Sequence, residues 1–445
     1  MPQDFTEGSV GKKLMLFALP IVLGMSMHTA YNIIDTIFIG MLGPLELAAV
    51  SLTFPLVFVF IAIASGLGVG ANALIAQAVG EKNIHKANNL AEHALILSGI
   101  LGVAIAALAL FFAPTLFVAM GADEQVLPLA LQYANIVFIG FIFMFGWFIS
   151  DSILKSQGNS KTPMINLTIS LIVNIILDPI LIFGFGPIPA MGLVGAAVAT
   201  VFSRLIALVL NFMYIYTPKS TISLALKEFK PNAECIKQMV VVGLPASASQ
   251  SLTAIGYMLL MGFVGGFGSY AIAAYGIGMR LNSIAIMPIV GMSMAVTSFV
   301  GQNVGAGNFD RARKVSLLAV RITIVISLVI MAALMLFPEA VMRIFTQHFL
   351  VIGIGKQYLS IVPVIFPLYA FYFVIIGAFM GAGKTQLAFV TNLAYWIITV
   401  IIAFFLSQSM GLRGIWIALI AGAMVEMVLV AAIFYSGQWL KGIKN

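Results

Sequence analysis

The chain has 445 residues, 62% of them apolar and 8% charged, with a mean hydropathy of +1.11. So few charges cannot cover the surface of a soluble protein of this length, so the chain is read as a polytopic membrane protein. The net charge of +7 does not mark a nucleic-acid binder, because the basic residues are scattered among loops rather than gathered in a patch.

Apolar runs between polar breaks predict twelve helical spans, at 14–40, 47–77, 93–117, 128–150, 163–185, 191–216, 238–264, 270–300, 316–337, 357–382, 387–409 and 414–436. The runs are long and continuous, without the ten-residue alternation of a β-barrel. The first, from Leu14 to Leu42, is too long for a secretory signal and no small-residue cleavage site follows it. The chain divides into a six-helix lobe at 1–216, a polar, Pro-containing linker at 217–237 and a second six-helix lobe at 238–445.

Span 1 holds Tyr31, Asn32 and Asp35. Tyr31 and Asp35 are four apart and share a helix face, with Asn32 on the adjoining strip. In span 2, "GLGVGAN" is glycine inside an apolar helix and signals close packing. Span 4 ends near Asp151. Span 5 contains "NLT" at 166–168, too deep in the helix to serve as a glycosylation site, and then "NIILDPILIFG". The single cysteine, Cys235, is expected as a free thiol in a loop, and His28, His85, His93 and His348 have no metal-ligand spacing. In the second half "GAGKT" lacks the first glycine of a phosphate-binding loop, where Ala378 stands, and it joins two membrane helices. Glu426 lies in span 12. Among the 34 Phe and 24 Met, some can line an adaptable cavity for flat apolar cations.

The halves repeat. At an offset of 225, "LP" at 19–20 returns at 244–245, Gly40, Gly43 and Gly66 meet Gly265, Gly268 and Gly291, and "QAVGEKN" meets "QNVGAGN". "QY" at 132 meets "QY" at 357, and Gly158 meets Gly383. After a six-residue shortening "GLVG" meets "GLRG". One spacing held this far marks a duplication. Six is an even number of crossings, so the repeats insert in parallel. Sixteen Lys and Arg fall in the N-terminus, the even-numbered loops and the C-terminus, against three in the odd-numbered loops. Both termini are therefore expected in the cytoplasm, and the protein in the plasma (inner) membrane.

An Asp at a helix centre costs roughly 2.5–3.5 kcal/mol on insertion scales. Asn174 and Asp178 lie one turn apart, and Pro179 frees the carbonyl of Ile175 beside them. Carboxylate, amide oxygen and free carbonyl are hard donors of the kind that hold an alkali cation. Together with Asp35 they form a candidate cation site. Two carboxylates in a dry site cannot both stay charged cheaply, so the pair would take up a proton or a metal cation and titrate as a unit.

The chain resembles the multidrug and toxic compound extrusion (MATE) family, most closely its DinF-like branch. The resemblance rests on "ALPIVLGMSMHTAYNIIDTIFIGMLGPLELAAVSL", "GLGVGANALIAQAVGEKN", "NIILDPILIFG", "MGLVGAAVATVFSR", "VGLPASASQS" and "GLRGIWIAL", and runs over nearly the whole chain. It implies an all-α integral membrane protein, a V-shaped transporter of two lobes that exchanges drugs for inward-moving H⁺ or Na⁺. The implied cation site is Asp35, Asn174, Asp178 and Thr200, able to take Na⁺ as well as H⁺. Tyr31, Asn32, Tyr133 and Asp151 would stand beside it, and Pro20 would be where helix 1 bends. The branch of the family with acids in its C-terminal lobe carries them on helices 7 and 10, which have none here, and this argues against ion coupling by that lobe. Asp151 stands where relatives are expected to have Asn, and either alters ion preference or pairs with a neighbour.

The expected function is therefore cation-coupled antiport of small amphipathic, mostly cationic compounds by alternating access. Membrane lipids are the expected surroundings, a monomer the expected state, and no cofactor or nucleic acid is implied. The rival reading is a flippase for a lipid-linked saccharide or lipid, for which only Arg204 and Arg280 offer cationic cavity residues. A major-facilitator carrier would carry an Asp/Arg-rich loop where "GEKNIHKANN" stands. An enzyme would need a nucleophile or His/Cys cluster, which is absent from the sequence.

Overall fold

The computed structural model describes residues 3–225 and 229–440, without the side chains of 28–33, 36, 44 and 55. The first half holds α1 (Val10–Gly40), α2 (Pro44–Gly80), α3 (Ile84–Ala119), α4 (Val126–Ile139), α5 (Phe141–Ser156), α6 (Lys161–Phe183) and α7 (Leu193–Ile215). The second holds α8 (Ala233–Gly265), α9 (Ser269–Gly305), α10 (Phe309–Leu336), α11 (Pro338–Phe345), α12 (Phe349–Ile361), α13 (Ile365–Gly381), α14 (Thr385–Met410) and α15 (Leu412–Ser436).

Among the described residues, eleven helical stretches are long and apolar enough to cross a membrane, with α12 and α13 counted together. The pair α4 and α5, bent by 41°, forms a twelfth. The bend falls at Gly140, where a Cβ would collide with the side chain of Val201 on α7. The matching interruption in the second half is the 3-10 turn Val362–Val364, whose Pro363 has no amide to donate. Both spans were expected unbroken. The helix α11 was not expected at all. On it Glu339 pairs with Arg343 at 2.9 Å and with Lys356 at 3.3 Å. Hydrogen bonds from these two cations hold its carboxyl below the usual carboxylate range.

The duplication is written into the backbone. Helix α2 and helix α9 each have 37 residues, and their limits differ by the same offset of 225. The turns after α5 and α13 both place a glycine at positive φ, Gly158 at 83° and Gly383 at 75°.

Packing divides the chain into two compact units. Unit 1 holds the first five residues and Leu23–Ser247, and unit 2 holds Thr6–Val22 and Ala248–Asn445. The division does not fall in the linker but inside helices α1 and α8, two residues after Pro20 and Pro245. Unit 1 thus contains the first half of α8, which lies on α2. There a Cβ on Gly66 would come within 2.5 Å of the Ser247 amide and 2.8 Å of the Gly243 carbonyl. In unit 2 the first half of α1 lies on α9, and a Cβ on Gly291 would come within 3.0 Å of Val22 Cα. Gly66 and Gly291, like Val22 and Ser247, are repeat equivalents. Only glycine admits such close backbones.

In unit 1 one apolar core forms around Phe117, Phe138, Phe141 and Phe145, and another around Ile75, Leu90, Ile153 and Met239. Unit 2 packs around Tyr275, Tyr358, Phe366 and Trp416. The chain between α7 and α8 is pinned to unit 1 by side chains. Gln157 Oε1 accepts the Thr221 amide at 2.7 Å, Glu92 Oε1 accepts that of Ala225 at 2.7 Å and His93 Nε2 that of Asn232 at 2.8 Å. This explains why α3 begins at Ile84, ahead of the apolar run: its polar first turns hold the linker. Cys235 was expected in a loop but lies in the first turn of α8, half-buried, with its thiol donating to Asn89 Oδ1.

Candidate functional site: an acid pair in unit 1

The site starts on α6. Asn174 and Asp178 are each 0% exposed. Their one-turn spacing puts both side chains on the face of α6 turned into unit 1, and Asn174 Nδ2 donates to Asp178 Oδ1 at 3.3 Å. Helix α6 runs on through Pro179 to Phe183, so the proline removes one hydrogen bond without breaking the helix.

Asp35 comes from α1, half-buried, with its carboxyl within hydrogen-bonding reach of Asp178. Three oxygens of the cluster, Asp35 Oδ1, Asn174 Oδ1 and Asp178 Oδ2, are buried and accept no hydrogen bond. Buried polar atoms are normally satisfied, and three together in one place mark a site made to receive something. Acceptors without donors suit a proton or a hard monovalent cation.

Among the described residues, the positive charge acting on the pair is Arg204 of α7, which attracts Asp35 electrostatically. Its guanidinium lies 5.1 Å above the ring of Trp147 on α5. Thr200 stands one turn before Arg204 on the same face of α7, half-buried. Tyr133 is buried in the core of α4 beside Val137 and Phe138. The side chains of Tyr31 and Asn32 lie outside the described residues. Pro20 lies inside α1, which continues through it from Val10 to Gly40. The carboxylate of Asp151 meets Lys155 one turn along α5 at 2.6 Å.

Arg204 entered the sequence reading as a cationic cavity residue of the rival flippase, and Trp147 was not foreseen. Nor was the polar chain that ties three helices of this unit together. In it Asn166 Nδ2 donates to Asn211 Oδ1 at 2.9 Å, and Asn211 Nδ2 to Ser150 Oγ at 3.1 Å. The signal available in the sequence was the set of uncharged polar residues inside spans 4, 5 and 6, whose partners only the packing reveals. Asn166, the asparagine of "NLT", is occupied by this chain and 8% exposed.

Comparison with known proteins agrees with the fold. The MatE family model matches residues 20–180 and 245–405, one match in each half. The chain is 30% identical over 447 residues to the probable multidrug resistance protein YoeA of Bacillus subtilis, covering 99% of this chain and 96% of that protein. It is 27% identical over 430 residues to the FAD transporter of Shewanella oneidensis, covering 96% and 94%. A solved MOP superfamily transporter from Pyrococcus furiosus superposes with a TM-score of 0.91 at 30% identity, covering 99% of this chain and 98% of the other. With its duplicated twelve-span architecture and the family match in both halves, the chain belongs to the MATE family of multidrug efflux transporters, membrane carriers rather than enzymes.

Proposed function

We propose that the protein is a cation-coupled antiporter that exports small amphipathic cations, with Asp35 and Asp178 as the coupling groups. The observation that carries this is the facing carboxyl pair, whose two unsatisfied oxygens lie with that of Asn174. Asn174 and Thr200 complete the oxygen set for H⁺ or Na⁺. Two ionised carboxylates and the Arg204 guanidinium sum to one negative charge, so one bound monovalent cation makes the cluster neutral. The reading therefore includes one coupling ion per cycle.

In the cycle, the site loads a cation from outside. Loss of the net charge changes the balance between the straight helix α1 and one bent at Pro20, where the chain lacks an amide donor for Leu16. Bending displaces the exported compound, and the ion leaves to the cytoplasm. The ion shifts the equilibrium only by its difference in affinity for the two forms. Both termini face the cytoplasm in this scheme, in the plasma membrane, with lipid around a monomer. The name of the Bacillus relative supports drugs as cargo.

The test is movement of a fluorescent organic cation in proteoliposomes under imposed proton or sodium gradients. Native protein is expected to respond to one of the two, which identifies the ion. Asp178→Asn is expected to fold and to lose gradient-driven movement by at least about tenfold. Undiminished transport by that variant would overturn the proposal.

A further inference from the structure

Unit 2 contains a second buried acid that the scheme above does not use. Glu426, on α15, is 1% exposed. None of the ion pairs among the described residues includes it. Its Oε1 accepts no hydrogen bond, and its contact is with the hydroxyl of Tyr372 on α13.

The surroundings are hydroxyls and amides drawn from three other helices. Tyr372 is within hydrogen-bonding reach of Asn392 on α14, and Thr253 Oγ1 on α8 donates to Asn392 Oδ1 at 3.3 Å. Alongside runs a second chain, in which Tyr257 of α8 reaches Tyr369 and the Tyr369 and Tyr395 hydroxyls lie 2.9 Å apart. The titratable groups whose charge bears on Glu426 are thus Tyr372 and Tyr369 from α13, Tyr395 from α14 and Tyr257 from α8. All are neutral at physiological pH, and no Lys, Arg or His is among them. Thr253 and Tyr257 are one turn apart and half-buried. Both polar chains therefore run from the closed interior of unit 2 to one face of α8.

We propose that Glu426 is a proton-binding site of unit 2, loaded and emptied through this hydroxyl network toward the face of α8. A carboxyl kept permanently neutral for packing would place both oxygens against partners. Here one oxygen is left open, while the other has a hydroxyl able to donate to the ionised form or accept from the protonated form. In the release step the carboxyl O–H bond breaks, its electron pair stays on the carboxylate, and the proton passes to water at the α8 face. Tyr372 then turns its O–H toward the carboxylate. No metal is invoked: among the described residues no group of three or more His, Cys, Asp or Glu side chains could hold one. The site is separate from the Asp35–Asp178 pair and is independent of how that pair couples.

The experiment is an infrared pH titration of the purified full-length protein in detergent, in an Asp35→Asn, Asp178→Asn background that removes the unit 1 signal. The expected result is a protonated-carboxyl carbonyl band that disappears reversibly as the pH is raised through the range in which the protein stays folded. It should be lost on adding Glu426→Gln, and its midpoint should move in Tyr372→Phe. A band that persists unchanged across that range, or one that survives Glu426→Gln, overturns the proposal. If Glu426→Gln does not fold, carboxyl-¹³C glutamate labelling of the Glu426-containing protein decides instead: a titrating band that shifts with the label supports the site, and one that does not shift overturns it. Because the readout is proton binding and not transport, failure here is distinct from failure of the antiport mechanism.

Discussion

Asp151 and Lys155 show how a charge can sit near the end of a membrane span at modest cost. Their side chains are 14% and 11% exposed and their charges meet at 2.6 Å. Removing the acid would leave a mostly buried ammonium without its partner. Asp151→Asn is expected to lower stability by about 2 kcal/mol, between the values for exposed and fully buried pairs. A thermal unfolding series in detergent checks this, and Asp151→Asn combined with Lys155→Met should recover most of the loss. The contrast with Asp178 is informative, because Asp178 has only an amide and another acid beside it. A charge with a built-in partner reads as structure, and one without reads as a place for an ion. Spacing in the sequence was enough to pair Asn174 with Asp178, since both lie on one helix. It could not orient Arg204 over Trp147 or join Glu426 to Tyr372, because those partners come from different helices and meet only through packing.

Helices in this fold are longer than a bilayer requires. At 1.5 Å per residue, the 37 residues of α2 reach about 55 Å, against a hydrocarbon core of about 30 Å. Apolar runs located the buried middles well, and the family of spans they predicted is the one observed. The polar extensions were invisible to that measure, because a helix in water can be as polar as a loop. Helix α3 begins with "IHKANN", whose side chains fasten the linker rather than face lipid. The bend at Gly140 was equally hidden, because a glycine in an apolar run reads the same whether it bends a helix or admits a neighbour. The close approach of α8 to α2 gives a direct test. Gly66→Val is expected to destabilise the protein by about 1–3 kcal/mol, since the new atoms meet the Ser247 amide and the Gly243 carbonyl as well as the Ser247 hydroxyl, and the backbone cannot turn aside as that hydroxyl can. Gly99→Ala, where nothing lies within 4 Å of the new Cβ, should be neutral or stabilising by up to about 1 kcal/mol. Paired melting curves of the two variants decide it.

At the scale of the molecule, the repeat offset explains more than sequence likeness. The units divide after Val22 and after Ser247, which are repeat equivalents. Each half of the sequence thus lends the start of its first helix to the unit built mainly from the other half. Reading the polar linker as the boundary between lobes is natural in one dimension, since composition changes there. Packing places the division elsewhere, because α1 and α8 are continuous helices that cross it. A consequence follows for split chains. A fragment of residues 1–225 lacks the segment Ala233–Ser247 that covers Gly66 and Gly70 on α2. A fragment of residues 226–445 lacks Thr6–Val22, which covers Gly291 on α9. Each left alone exposes tightly matched helix faces and should aggregate or be degraded, since TM helices associate through such close packing. Co-expressed, the two should assemble, and a tag on either should recover both in one monodisperse peak on gel filtration in detergent. Independent folding of the two fragments, each monodisperse without the other, would show that the exchanged helix halves contribute little and that the linker is the functional boundary after all.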